Sequence, residues 1–146
     1  MANIAYDTGR LVEATRIYRK VVYAYPNLVP AMRSLHNLEE LADKRGAQAQ
    51  LEHLEWCRKA YTLLDNTMVG DDLIFQAANT AYRWWRYKPD KGLGTLAEYL
   101  LLEVAERHPG TGHWGDAMWA LSHLYRRQGR VEDEVRALRT LVDTHS

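Results

Sequence analysis

Apolar side chains recur along this chain at intervals of three and four residues, the spacing that aligns them on one face of an α-helix. Valines and isoleucines follow the same spacing and do not alternate with polar residues as they would in a half-buried strand. The pattern therefore predicts an all-α protein. The predicted helices follow a short helical stub and cover residues 10–25, 30–45, 48–65, 71–88, 94–108, 114–128 and 131–144.

Proline and glycine mark the ends of these helices. Pro26 and Pro109 each follow a helical stripe and end it, because the proline ring cannot continue the backbone hydrogen-bond ladder. Gly9, Gly46 and Gly129 lie between predicted helical segments, where a left-handed residue would turn the chain. These signals predict short connections between successive helices.

One helical stripe occurs twice with the same internal spacing. Its first copy is Ala14, Tyr18, Val21 and Pro26, and its second is Ala97, Leu101, Val104 and Pro109. Each residue of the second copy lies 83 positions after its counterpart, an interval that holds two units of about 41 residues. Self-similarity at such a period is typical of repeat architectures, in which each unit buries its apolar face against its neighbours.

Three of the units carry a fuller motif. The last unit contains Met118-x2-Leu121-Ser122-x2-Tyr125 and then Gly129. The third unit contains Phe75-x2-Ala78-Asn79-x2-Tyr82, then Ala97-x3-Leu101 and Pro109. The first unit supplies Ala2, Ala5, Gly9, Ala14, Tyr18 and Pro26. These residues resemble the tetratricopeptide repeat, whose pattern runs W-x2-L-G-x2-Y, then A-x3-F, then P. The resemblance, which extends to bacterial repeat proteins, implies a right-handed superhelix of antiparallel helix pairs that binds other proteins.

The resemblance divides a single domain, residues 1–146, into four units. They are a partial repeat at 1–27, a degenerate repeat at 28–66, a repeat with an insertion at 71–110 and a final repeat at 113–146. The insertion is expected around residues 87–92. Because the first unit lacks the start of its first helix, we expect either a fragment of a longer repeat protein or a chain that covers its ends by self-association.

The charge balance argues against one class of partner. Nineteen basic and nineteen acidic side chains cancel, whereas nucleic-acid binders usually carry a basic excess. No apolar run approaches the roughly 20 residues that cross a bilayer, so membrane insertion is not predicted. The chain does not start with a signal peptide, and Cys57 is its single cysteine, so the compartment, cytoplasmic or periplasmic, stays open.

The sequence offers no recognisable catalytic or cofactor motif. The glycines form no phosphate-binding loop, and the six histidines lack the spacing of a metal site, so no enzyme activity, cofactor or metal is predicted. Cys57 lies on an apolar helix face, where a buried small hydrophobe is expected rather than a nucleophile. The acidic run at 132–134 lies near Arg136 and Arg139, as expected for solvated ion pairs.

Candidate partner-binding residues follow from the resemblance, in which the first helix of each pair lines a concave groove. That register selects Asn3, Tyr6, Arg33, His36, Glu40, Gln76, Thr80, Arg83, Trp119, His123 and Arg126. Trp84 joins them from the aromatic run at 82–87, in which Tyr82 and Trp85 are predicted to be buried and Trp84 or Tyr87 exposed. Exposed tryptophan beside arginine is typical of interfaces and suits an acidic peptide.

The predicted function is a protein–protein interaction scaffold that binds a partner segment in this groove. Two alternative functions remain open. One is a self-assembly module that oligomerises through exposed end helices, and the other is a helical regulatory domain of a larger enzyme or transcription factor. The residues do not name the partner.

Overall fold

The computed structural model describes residues 8–145, which form seven α-helices and no strand. The helices are α1 (Thr8–Ala24), α2 (Val29–Arg45), α3 (Ala47–Leu64), α4 (Gly70–Tyr87), α5 (Lys91–Arg107), α6 (Trp114–Arg127) and α7 (Val131–His145). The all-α prediction is confirmed, and every predicted helix boundary lies within three residues of the observed one. The predicted stub, together with the candidates Asn3 and Tyr6, lies outside the described residues.

Local signals explain where the helices begin and end. Leu28 is extended and Pro30 lies in the first turn of α2, where its missing N–H is not needed. Asp90 precedes α5, and its carboxylate accepts a hydrogen bond from the backbone N–H of Leu93 at 3.1 Å. Gly46 and Gly129 adopt positive φ values of 101° and 74°, which confirms their predicted left-handed turns.

One predicted turn is wrong. Gly9 lies in the first turn of α1 rather than in a turn before it, because α1 begins at Thr8. The insertion expected around residues 87–92 stays a prediction, and the connection between helices at this point is short. α4 extends to Tyr87, and the Asp90 cap starts α5 at Lys91, so only three residues separate the two helices.

The chain divides into two compact units, residues 1–77 and 78–146, and the division falls within α4. In unit 1, α1 packs against α2 and α2 packs against α3. The fully buried side chains of unit 1 include Val22, Leu35 and Cys57. In unit 2, α5 packs against α6 and α6 packs against α7, and Leu101 and Leu124 are among the buried side chains.

Two small residues of the pattern that resembles the repeat are buried. Ala97 and Ser122 are buried, and each stands where the repeat pattern has a small residue that allows close approach of helices. Within residues 8–145, no helix combines the length and the apolar character that crossing a bilayer requires.

Candidate protein-binding surface

The aromatic run at the end of α4 divides into a buried and an exposed part. Tyr82 and Trp85 are buried, as predicted, whereas Trp84 is half-buried and Tyr87 is 79% exposed. Trp84 and Tyr87 are in contact, with their rings edge to face at 5.9 Å between centroids. Arg83 is exposed on the same helix. The C-terminal half of α4 therefore presents aromatic surface together with positive charge.

Trp85 joins three helices of unit 2. The guanidinium carbon of Arg127, on α6, lies 5.0 Å from the centroid of the Trp85 ring. On α5, Gly94 leaves no room beside the indole, since a Cβ at this position would lie 3.0 Å from Trp85 Nε1. The contacts place the ends of α4 and α6 next to each other.

A second arginine covers Tyr82. The guanidinium carbon of Arg86 lies 5.6 Å from the Tyr82 ring centroid, and Tyr82 stacks on Trp85 at 6.2 Å. Burial raises the pKa of the Tyr82 hydroxyl, while the charges of Arg86 and Arg127 act in the opposite direction. The tyrosine is therefore neutral, and both arginines are exposed.

α6 presents a second aromatic and cationic face. Trp119, His123 and Arg126 occupy positions i, i+4 and i+7, which lie on one side of a helix. Trp119 is 57% exposed, and its ring lies 5.8 Å from that of His123. Among residues 8–145, Arg126 has no carboxylate partner. We call Arg83, Trp84, Trp119, His123 and Arg126 the α4–α6 surface.

Charge is segregated among the helices of unit 2. The C-terminal half of α4 and α6 together carry four arginines and one acidic residue: Arg83, Arg86, Arg126, Arg127 and Asp116. α5 and α7 carry four basic and seven acidic residues: Lys91, Arg107, Arg136, Arg139, Glu98, Glu103, Glu106, Glu132, Asp133, Glu134 and Asp143. The near-zero net charge of the chain therefore hides a cationic face.

Unit 1 contains another part of the predicted groove. Arg33, His36 and Glu40 are exposed and lie along one side of α2. His36 Nε2 lies 3.2 Å from Glu40 Oε1, so this face pairs its own charges when the histidine is protonated. It lacks the aromatic side chains that accompany the arginines of unit 2.

Two predicted groove residues are engaged inside the fold. Thr80 is only 2% exposed, so the expectation that it lines a surface is wrong. Gln76 is half-buried; its amide nitrogen donates to the carbonyl oxygen of Leu35 at 3.3 Å, and its Oε1 lies 2.6 Å from His53 Nε2. Both residues lie on α4, which buries side chains around much of its circumference.

His53 and Cys57 complete a buried polar cluster that the sequence did not reveal. Because the Gln76 nitrogen donates to Leu35, its Oε1 accepts, and the proton of His53 is assigned to Nε2. Cys57 Sγ lies 3.4 Å from the same nitrogen. Burial lowers the pKa of His53 and raises that of Cys57, which keeps both groups neutral. The predicted burial of Cys57 is confirmed.

Arg19 lies near this cluster. Its guanidinium carbon is 5.2 Å from the Trp56 ring centroid, and Tyr23 contacts the same ring edge to face. Burial lowers the pKa of Arg19, and its Nε finds no hydrogen-bond acceptor among the described residues. The positive charge of Arg19 also disfavours protonation of His53.

Unit 2 contains an ionic cluster of a different kind. Arg130 donates from Nη1 to Glu98 Oε1 at 2.7 Å, from Nη2 to Glu98 Oε2 at 3.0 Å and from Nε to Asp133 Oδ2 at 3.0 Å. Its guanidinium also covers the Tyr125 ring at 4.5 Å. Burial and the neighbouring Glu98 raise the pKa of Tyr125 to about 12. This cluster connects α5 to the turn between α6 and α7.

Family models, curated proteins and solved structures give no match to this chain. The surface chemistry of the chain indicates what it can bind. Guanidinium groups form charge-assisted hydrogen bonds with carboxylates, and exposed indoles add apolar contact area. The α4–α6 surface combines both on neighbouring helices.

Proposed function

We propose that this protein is an interaction scaffold whose α4–α6 surface binds an acidic segment of another protein. The observation that supports this most is that Arg126, which has no carboxylate partner among residues 8–145, shares a face of α6 with the exposed Trp119. Carboxylates of the bound segment would pair with Arg83 and Arg126. Its apolar side chains would contact Trp84 and Trp119.

The proposal includes the architecture that the repeat motif implies. Consecutive helices of similar length, joined by short turns at Gly46 and Gly129, support pairing of antiparallel helices as in tetratricopeptide repeats. The right-handed superhelix of that family is the finer part of the proposal. In that arrangement the first helices of successive pairs, α4 and α6 among them, would line the groove.

A synthetic peptide of known composition tests the binding. We would titrate the full chain into a fluorescein-labelled peptide of about 15 residues, in which glutamate alternates with leucine and phenylalanine, and follow fluorescence anisotropy. The Arg83→Glu/Arg126→Glu variant should weaken binding by about ten-fold or more, because each substitution replaces attraction by repulsion. Helical content, measured by circular dichroism, should not change.

A second variant separates this surface from overall charge. Arg16→Glu/Arg58→Glu changes the net charge by the same amount, but its substitutions lie on α1 and α3 in unit 1. It should bind the acidic peptide nearly as the unmodified chain does. Equal losses in the two variants, or equal binding of a peptide with lysine in place of glutamate, would refute the α4–α6 surface.

A further inference from the structure

α7 carries an apolar stripe that is largely exposed within residues 8–145. Val131, Val135, Leu138 and Val142 are spaced by four, three and four residues, the alternation that forms a seam between paired helices. Val131 and Val142 are 62% and 67% exposed, Val135 is exposed and Leu138 is half-buried. The buried contact of α7 in unit 2 is made by another residue, Ala137.

We propose that this α7 stripe pairs antiparallel with the α7 stripe of a second copy of the chain. In that register Val135 faces Leu138 of the second copy, and Val131 faces its Val142. All four positions of the stripe are then covered by apolar side chains. The proposal is independent of the function proposed above, since the stripe shares no residue with the α4–α6 surface.

Charge complementarity points to a second copy as the occupant. Glu132 and Arg139 border the stripe on the same side, and both are exposed. Neither has an ion-pair or hydrogen-bond partner within residues 8–145. In the antiparallel register, Glu132 of each copy lies beside Arg139 of the other. The two-fold symmetry therefore forms this ion pair twice.

The same charges distinguish the antiparallel from the parallel arrangement. The first turn of α7 is acidic, with Glu132, Asp133 and Glu134 in succession. A parallel pair would bring two such turns together and align the two helix dipoles. The antiparallel pair instead places each acidic turn beside the half of the other helix that carries Arg139. Helices of 15 residues give a small interface, so the dimer should be weak.

Sedimentation equilibrium of the full chain, from about 1 μM to about 500 μM, tests the proposal. The mean mass should rise with concentration from the monomer value towards twice that value. Val135→Glu should weaken association by about ten-fold or more, because it places a charge in the seam. Val12→Glu, which changes an exposed valine of α1, is the matched control and should associate like the unmodified chain.

Charge reversal tests the register. Arg139→Glu should weaken association by roughly three- to ten-fold, and adding Glu132→Arg to it should restore association. A chain that stays monomeric throughout, or association that Val135→Glu leaves unchanged, would overturn the proposal. Restoration of Arg139→Glu by Glu134→Arg, rather than by Glu132→Arg, would replace the antiparallel register with the parallel one and thus also contradict it.

Discussion

The two units of this protein contain different polar contacts between helices. In unit 1, the buried His53 of α3 and the half-buried Gln76 of α4 form a neutral hydrogen bond. In unit 2, Arg130 binds Glu98 of α5 through two hydrogen bonds, and both side chains remain partly exposed. One contact is uncharged and includes a buried histidine, whereas the other is ionic and both of its partners are partly exposed.

This difference determines which conditions should weaken each unit. A buried neutral histidine resists protonation, so unit 1 should be sensitive to acid. A partly exposed ion pair is screened by dissolved ions, so the polar contact of unit 2 should be sensitive to salt. The comparison holds if acid destabilises mainly unit 1 and salt weakens mainly the polar contact of unit 2.

The largest expected effect is the loss of the buried histidine. His53→Ala should lower the free energy of unfolding of unit 1 by about 2–4 kcal/mol, because it leaves a cavity and removes the partner of Gln76 Oε1. Urea unfolding followed by circular dichroism gives the size, and amide hydrogen exchange in α3 gives the location. The control is His36→Ala on α2, which removes an exposed histidine and should change stability by less than about 0.5 kcal/mol. Equal losses in both variants would contradict the role of His53.

The second-largest expected effect is the dependence of the stability of unit 1 on pH. The pKa of His53 is lowered in the fold, mainly by burial, from an ordinary value of 6.5. The unfolded chain therefore takes up a proton that the folded chain resists. The contribution of neutral His53 to the free energy of unfolding is fully present above pH 6.5. Below that pH it declines, by up to about 1.4 kcal/mol per pH unit, until the pKa of the folded state is reached.

Comparison of two variants between pH 7 and pH 5 checks this slope. His53→Gln should flatten the decline, because glutamine offers an N–H near Gln76 but does not titrate. His36→Ala should retain the decline, since this variant leaves His53 in place. If His53→Gln leaves the slope unchanged, another group is responsible for the acid sensitivity.

The helices could be predicted from the sequence, but the polar clusters could not. Helix positions follow from local spacing and from signals such as Pro26 and Gly46, which act over a few residues. His53 and Gln76 are 23 residues apart on different helices, and Glu98 and Arg130 are 32 apart. No local pattern connects such pairs, because their contact exists only after the helices pack.

The candidate surface was predicted only in part, because register on one helix is local whereas burial depends on how the helices pack. Register on one helix placed Trp119, His123 and Arg126 together, and they do share a face of α6. The same reasoning was wrong for Thr80, because α4 buries side chains on several sides and leaves no simple polar face. The single domain and the partner-binding role of these residues stay predictions.

The smallest expected effect concerns the ionic cluster of unit 2. Arg130→Met should lower stability by about 1 kcal/mol at low salt, because it leaves Glu98 and Asp133 without their shared cation. In about 1 M NaCl most of this loss should disappear. Hydrogen exchange in α5 and α6, measured at both salt concentrations, checks the prediction.

The matched control is Arg126→Met, which removes an arginine of α6 without a carboxylate partner in the described part of the chain. It should change stability by less than about 0.5 kcal/mol at either salt concentration. A salt-independent loss in Arg130→Met would show that the Arg130 contact with the Tyr125 ring matters more than its ion pairs.

Gly46 has a further consequence, for the rate at which the chain folds. It is the only residue between α2 and α3, and the helices that pack together in each unit are neighbours in sequence. Closing so short a connection costs little chain entropy, and contacts between sequence neighbours favour folding in microseconds to milliseconds. During synthesis at about 5–20 residues per second, the α2–α3 hairpin therefore has time to form before most of α5 has been made.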